Sequence, residues 1–175
     1  MSKAYPYLKA AVSVVSLILA IINSRPAVLL TALVFCICGG LFLAWSGELH
    51  RSQKEPFFTI GIISFAVAHF FLIVYFGLAF WKLIPAAVLI LLLTIVVKTR
   101  FITPGKYGLR VGLYSIIVCL MLASSIATPF FPAAFLSWIS DGLLGIWYFH
   151  EGAPFWIGGV ALVIYYASLF LMIAL

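Results

Sequence analysis

Charge is what this sequence lacks. Only 8% of its 175 residues are charged, with four acids against ten Lys and Arg, where a soluble domain carries about 25%. With 66% hydrophobic residues and a mean hydropathy of +1.29, the chain has too little polar surface to cover a water-soluble monomer, which excludes a soluble globular enzyme. It is neither polar nor of low complexity, which excludes disorder. The net charge of +6 is spread over cations scattered among apolar runs. They form no stripe, which excludes a nucleic-acid binder. The three cysteines, Cys36, Cys38 and Cys119, lie inside apolar runs, and positions i and i+2 point to different sides of a helix. They make no metal signature and are expected to pack as small hydrophobes. There is no Gly-rich phosphate loop, no GxSxG elbow and no HExxH, and no cofactor is implied.

What is present is a set of long apolar runs. Crossing a hydrocarbon core of about 30 Å takes roughly 20 residues of helix. Seven runs meet or approach that length, all too long and continuous for barrel strands: Tyr5–Ile22, Pro26–Trp45, Phe57–Phe80, Leu83–Val97, Gly108–Ile126, Phe130–Phe149 and Phe155–Ala174. The expected architecture is an all-α polytopic membrane bundle of about seven transmembrane helices in one domain, 1–175. Breaks fall at Asn23-Ser24-Arg25, Ser46–Pro56, Trp81-Lys82, Lys98–Tyr107, Ala127–Pro129 and His150–Pro154. Pro26, Pro56, Pro85, Pro132 and Pro154 stand near helix starts, where a missing N–H costs nothing. Lys3 and Lys9 before Ala10–Ile22 mimic a signal peptide. The Asn-Ser-Arg-Pro that follows is not a small-x-small cleavage site, so the run is read as a mature helix.

Alternating seven helices across the bilayer puts Lys3, Lys9, Arg51, Lys54, Lys98, Arg100, Lys106 and Arg110 on one side and only Arg25 and Lys82 on the other. By the positive-inside rule the N-terminus is cytoplasmic and the C-terminus outside. The basic 98–110 segment then faces anionic headgroups. A bacterial inner membrane is the default location, since the chain is short and carries no targeting extension; an internal eukaryotic membrane is the alternative.

Two stretches are alike. Cys38-Gly39-Gly40-Leu41-Phe42-Leu43-Ala44-Trp45 pairs with Ser140-Asp141-Gly142-Leu143-Leu144-Gly145-Ile146-Trp147, and Pro56–Gly61 with Pro154–Gly159. Helices two and three thus read as a parallel repeat of six and seven. Biased composition is the competing explanation.

Ionisable groups deep in spans cost at least about 2.5–3.5 kcal/mol unless they face a partner or cavity. Two qualify, Asp141 in the sixth span and His69 in the third. Asp141 is a candidate general acid, and a packing carboxyl is the alternative. Tyr165 and Tyr166 are read at a similar depth, and Tyr75 lies one to two turns beyond His69. A zinc site on His69 and Asp141 would need a third ligand, and His50 and His150 sit in or beside loops. His150-Glu151 reads as a solvated cap. Gly108 and Gly112 form a GxxxG packing motif, and the Trp residues at span ends form an interfacial belt.

With these residues in view, the chain resembles the lysoplasmalogenase family, the YhhN-like membrane proteins. The family's F-S-x-x-G-D motif falls on Phe35-Cys36-Ile37-Cys38-Gly39-Gly40. Its central-His helix falls on Gly61 through Phe76, with His69 at the His. Its Met-bearing helix matches Tyr114–Ala123, with Met121, and its span ending in Ser-Asp matches Ala134–Ile146, with Ser140-Asp141. Its closing Tyr-Tyr helix matches Tyr165-Tyr166. The resemblance implies a hydrolase that cleaves the vinyl-ether bond of a single-chain lysophospholipid to give a fatty aldehyde. It implies Asp141 and His69 as catalytic, with Tyr165, Tyr166, Gly40, Tyr75 and Ser140 around the substrate, in a pocket among helices two, three, six and seven. The headgroup is expected near the basic cytoplasmic face.

Departures accompany the likeness. The family's first acid falls on Gly40, a Tyr after the His is Leu72, a Gln or His after the Tyr pair is Leu169, and seven helices stand where the family has eight. A non-catalytic, lipid-binding or accessory relative is therefore a second reading. A small proton-coupled transporter using Asp141 is a third.

Overall fold

The apolar runs are helices. The computed structural model describes residues 5–47, 55–99 and 101–175, which hold seven α-helices and no strand: α1 Tyr5–Ile22, α2 Ala27–Gly47, α3 Glu55–Phe76, α4 Leu83–Lys98, α5 Gly108–Ser125, α6 Phe131–Phe149 and α7 Trp156–Ala174. Short 3-10 turns, Phe80–Lys82 and Gly105–Tyr107, lead into α4 and α5. Lys3, His50, Arg51, Lys54 and Arg100 lie outside the described residues. Five stretches are long and apolar enough to cross a bilayer: Ala27–Ser46, Pro56–Phe76, Phe80–Lys98, Gly105–Ser125 and Trp156–Ala174. The protein is an integral membrane protein of the all-α, polytopic class. α1 contributes a shorter apolar helix over Ala11–Ile22. α6 is less apolar because Ser137, Ser140 and Asp141 occupy its middle.

Helix ends fall within two residues of the runs read from sequence, with one exception. The third run was expected to continue to Phe80, but α3 stops at Phe76 because Gly77 takes φ +76°, a left-handed conformation open to glycine and costly to other residues. The break thus precedes Trp81-Lys82, and Lys82 is not a solvated loop residue: it is 6% exposed.

The chain divides into two compact units, Met1–Tyr75 and Phe76–Leu175. In the first, α1 packs against α2 through small and branched residues, with Ser13, Ser16 and Ala20 buried on α1 and Leu29, Ala32, Leu33 and Cys36 on α2. α2 and α3 join through rings: Phe35 stacks on Phe71 at 6.1 Å, and Phe57 completes a triangle with Phe42 and Trp45 at 6.3 and 6.1 Å. The second unit is a run of neighbours, α4 on α5, α5 on α6, and α6 on α7 most extensively. In each hairpin singled out by sequence likeness, a glycine of the second helix lies under a side chain of the first. A Cβ built at Gly61 would be 2.8 Å from Leu43, and one at Gly158 would be 3.1 Å from Trp147.

Two reciprocal bonds fix α6 against α7. Ser140 Oγ donates to the Ala161 carbonyl and Ser168 Oγ to the Ala133 carbonyl, both at 2.8 Å. Seven residues separate the serine from the acceptor on each helix, so the antiparallel register is set at points two turns apart. Interhelical hydrogen bonds in membranes contribute on average about 0.6 kcal/mol each. Replacing either serine by Ala is therefore expected to lower the melting temperature in detergent by about 2 °C. The double substitution should lower it by roughly twice that, read by differential scanning fluorimetry.

At the C-terminal end of α6 the α4–α5 segment is tied down. Thr103 donates its N–H (3.1 Å) and Oγ1–H (3.2 Å) to the Phe149 carbonyl. His150 donates Nδ1–H to the Phe101 carbonyl at 2.8 Å, and the two rings stack at 4.6 Å. His150 is thus a tie between α6 and the basic segment rather than the solvated cap expected from sequence, while Glu151 is exposed.

Candidate functional site

In the first unit the candidate residues are organised around a ring that closes over a glycine. Gly39 on α2 has no Cβ, and one built there would lie 2.6 Å from the Phe65 ring of α3. That closeness lets Phe65 seat against α2. One turn further along α3, His69 is 2% exposed, its ring 6.5 Å from that of Phe65. His69 Nδ1 is 2.8 Å from the Phe65 carbonyl. A carbonyl can only accept, so Nδ1 carries the proton and Nε2 is the acceptor of the neutral ring. Gly40, the next residue on α2, has an open position: a Cβ there meets nothing within 4 Å. Tyr75 is half-buried and sits six residues after His69, about 120° away around α3.

In the second unit the focus is α6. Ser140, fully buried, turns toward α7 and is held by its bond to Ala161. The next residue, Asp141, is rotated about 100° around the helix and meets α5, where Tyr114 hydrogen-bonds to its carboxyl. Its Oδ2 atom is buried. A second polar contact follows the same antiparallel seam, Trp138 to Cys119, where the indole N–H can only donate and the sulfur accepts. Tyr165 is buried, Tyr166 is half-buried, and their rings lie 5.5 Å apart.

The serine register sets Asp141 level with Val160 and Tyr165 level with Leu136. The tyrosine pair is therefore about five residues, roughly 7.5 Å, from Asp141 along the bundle rather than at its depth. The structure brings Ser140, Asp141 and Tyr114 together in the second unit, and Gly39, Phe65 and His69 in the first. Among the described residues no three His, Cys, Asp or Glu side chains converge on a point that could hold a metal ion.

Two residues were missed by sequence reasoning. Tyr114 is one of eight tyrosines, and only its position across the α5–α6 seam distinguishes it. Lys82 reads as punctuation between spans, yet its ammonium is buried against two carbonyls, Gly77 at 3.0 Å and Ser124 at 2.5 Å.

The YhhN family model matches residues 4–175. No curated protein and no solved structure matches the chain.

Proposed function

The chain belongs to the YhhN family, and from that premise we propose that it is a lysoplasmalogenase-type hydrolase, cleaving the vinyl-ether bond of a single-chain lysophospholipid within the membrane. The family is associated with that activity. The observation that carries the reading here is a carboxyl held by a phenol, Asp141 and Tyr114, midway along two packed apolar helices. A carboxyl at that depth is costly and calls for a function or a partner.

The reaction needs a proton on carbon, then water on the cation that results. Asp141, as the acid, gives its proton to the vinylic carbon remote from the ether oxygen. The π electrons form the new C–H bond, leaving an oxocarbenium ion on the carbon bearing oxygen. Water adds there, and the carboxylate left on Asp141 takes the proton that water loses. The resulting hemiacetal collapses to a fatty aldehyde and a glycerol hydroxyl. Tyr114 orients the carboxyl and offsets its negative charge while it is ionised. Ser140 acts through position, since its bond to Ala161 fixes the rotation of α6 that presents Asp141 to α5. His69 lies in the first unit with its Nδ1–H bonded to the Phe65 carbonyl, and it takes no step in this scheme, in which the Asp141 carboxylate receives the proton from water. No metal or cofactor is assigned to these steps.

The test is fatty-aldehyde release from a lysoplasmalogen by the purified, monodisperse protein in detergent. Release supports the hydrolase, and its absence from folded protein overturns it. Tyr114→Phe is expected to lower kcat by roughly tenfold to a hundredfold with KM little changed, as befits a lost hydrogen bond to a charged group. An equal loss in KM would make Tyr114 a substrate contact instead.

The basic residues Lys98, Lys106 and Arg110, all exposed at one end of the second unit, support a cytoplasmic N-terminus and an outside C-terminus. A bacterial inner membrane is the proposed location, and membrane lipids are the proposed partners.

A further inference from the structure

Lys82 lies at the opposite end of the second unit from the basic 98–110 segment, and nothing in the proposed chemistry uses it. It is 6% exposed. An ammonium has three N–H donors. Two are taken, by the Gly77 carbonyl just past α3 and by the Ser124 carbonyl in the last turn of α5. The ammonium also stands 5.7 Å from the Trp81 ring.

Helix C-termini carry partial negative charge, so these carbonyls offset part of the cost of burying a cation. They supply no full counter-charge, and no carboxylate among the described side chains pairs with Lys82. The sequence shows why. Two of the four acids belong to the second unit with Lys82. Asp141 lies ten residues into α6, and Glu151 is past the end of α6. Beside Lys82, Trp81 is 50% exposed, an aromatic residue of the kind that marks the headgroup level of a bilayer. The anion abundant at that level is the phosphodiester.

Resting on the hydrolase reading, we infer that Lys82 is the headgroup anchor of the substrate site, its remaining N–H binding a phosphate oxygen of a single-chain phospholipid. Spacing supports this. Ser124, which holds the ammonium, and Tyr114, which holds Asp141, are ten residues apart on α5, about 15 Å. In a lysophospholipid roughly six bonds, about 7 Å, separate phosphorus from the vinylic carbons. Contacts of about 3 Å at each end bring the reach to roughly 13 Å. The headgroup therefore sits at the end away from the basic segment, contrary to what the charge distribution of the sequence favours.

The test uses a ligand that cannot be hydrolysed. Binding of a saturated 1-O-alkyl lysophosphocholine and of 1-O-alkylglycerol with the same chain is measured on the full-length protein in detergent. Wild type is expected to bind the phosphate-bearing lipid at least tenfold more tightly. Lys82→Gln should erase that preference and Lys82→Arg should keep it. Equal binding of the two lipids by wild type overturns the site without recourse to a variant, and so does a folded Lys82→Gln that retains the preference. Stabilisation by inorganic phosphate alone, with the lipids bound equally, overturns the lipid assignment. Because the saturated ether releases no aldehyde, this result is independent of the hydrolase assay. A phosphate preference without vinyl-ether cleavage counts against the reaction, and cleavage without the preference counts against Lys82.

Discussion

Asp141→Asn is expected to lower fatty-aldehyde release by about 10²–10⁴-fold, the range in which a positioned general acid contributes. The substitution is nearly isosteric, and its amide oxygen can still accept the Tyr114 hydroxyl that meets Asp141. The neighbouring clamp from Ser140 to the Ala161 carbonyl is untouched. Helix packing should therefore survive, and the melting temperature should stay within a few degrees of wild type. What the amide cannot do is release a proton to carbon and recover one from water. The paired measurement of rate and melting temperature separates the two explanations of a mid-membrane carboxyl. A carboxyl retained for packing would leave both near wild type, since the amide keeps the Tyr114 hydrogen bond. An unchanged rate in a stable variant would remove Asp141 from the chemistry and return the chain to the lipid-binding reading.

Much of the fold was legible because a membrane helix must be apolar over most of its length. Seven apolar runs gave seven helices, and prolines stand in or just before the first turns of several, as in Pro56 of α3, Pro85 of α4 and Pro132 of α6. The end of α3 was misread because Gly77 sits within an unbroken apolar stretch, and only its left-handed φ of +76° marks the stop. His69 and Asp141 stood out because they are ionisable in the wrong medium. Their neighbours did not, because those contacts are made between helices. Lys82 is a lysine after a tryptophan until Ser124, 42 residues later, places a carbonyl on its ammonium. Tyr114 is an ordinary aromatic until α6 brings Asp141 beside it. Ser140 and Ser168 have the same composition signal as Ser115, whose hydroxyl donates to its own helix at Val111, yet only the first two tie α6 to α7. Linear spacing carries local geometry well and long-range pairing poorly.

The two adjacent glycines of α2 should respond in opposite ways. Gly39→Asp forces a Cβ to within 2.6 Å of the Phe65 ring. That ring is packed beside His69, and Phe65 is 6% exposed, so it has little room to retreat. Overpacking of this kind typically costs about 1–3 kcal/mol, and the carboxylate adds the burden of a charge at a buried helix contact. The Gly39 variant is expected to express poorly and to lose its folded population in detergent, as read by size-exclusion chromatography and thermal melting. Gly40→Asp meets nothing within 4 Å at Cβ, so it escapes the ring clash and should keep its folded population, with a melting temperature lowered by the cost of a carboxyl within the span. Position 40 is where the family motif that the chain resembles carries its first acid, and on that likeness restoring it is expected to raise aldehyde release by about tenfold or more. A rise from a low wild-type rate would show a weakened enzyme, and a rise from none would show a lineage that lost its chemistry at one residue. No rise in a folded Gly40→Asp would mean that Asp141 and the groups already present divide the work without a carboxylate on α2.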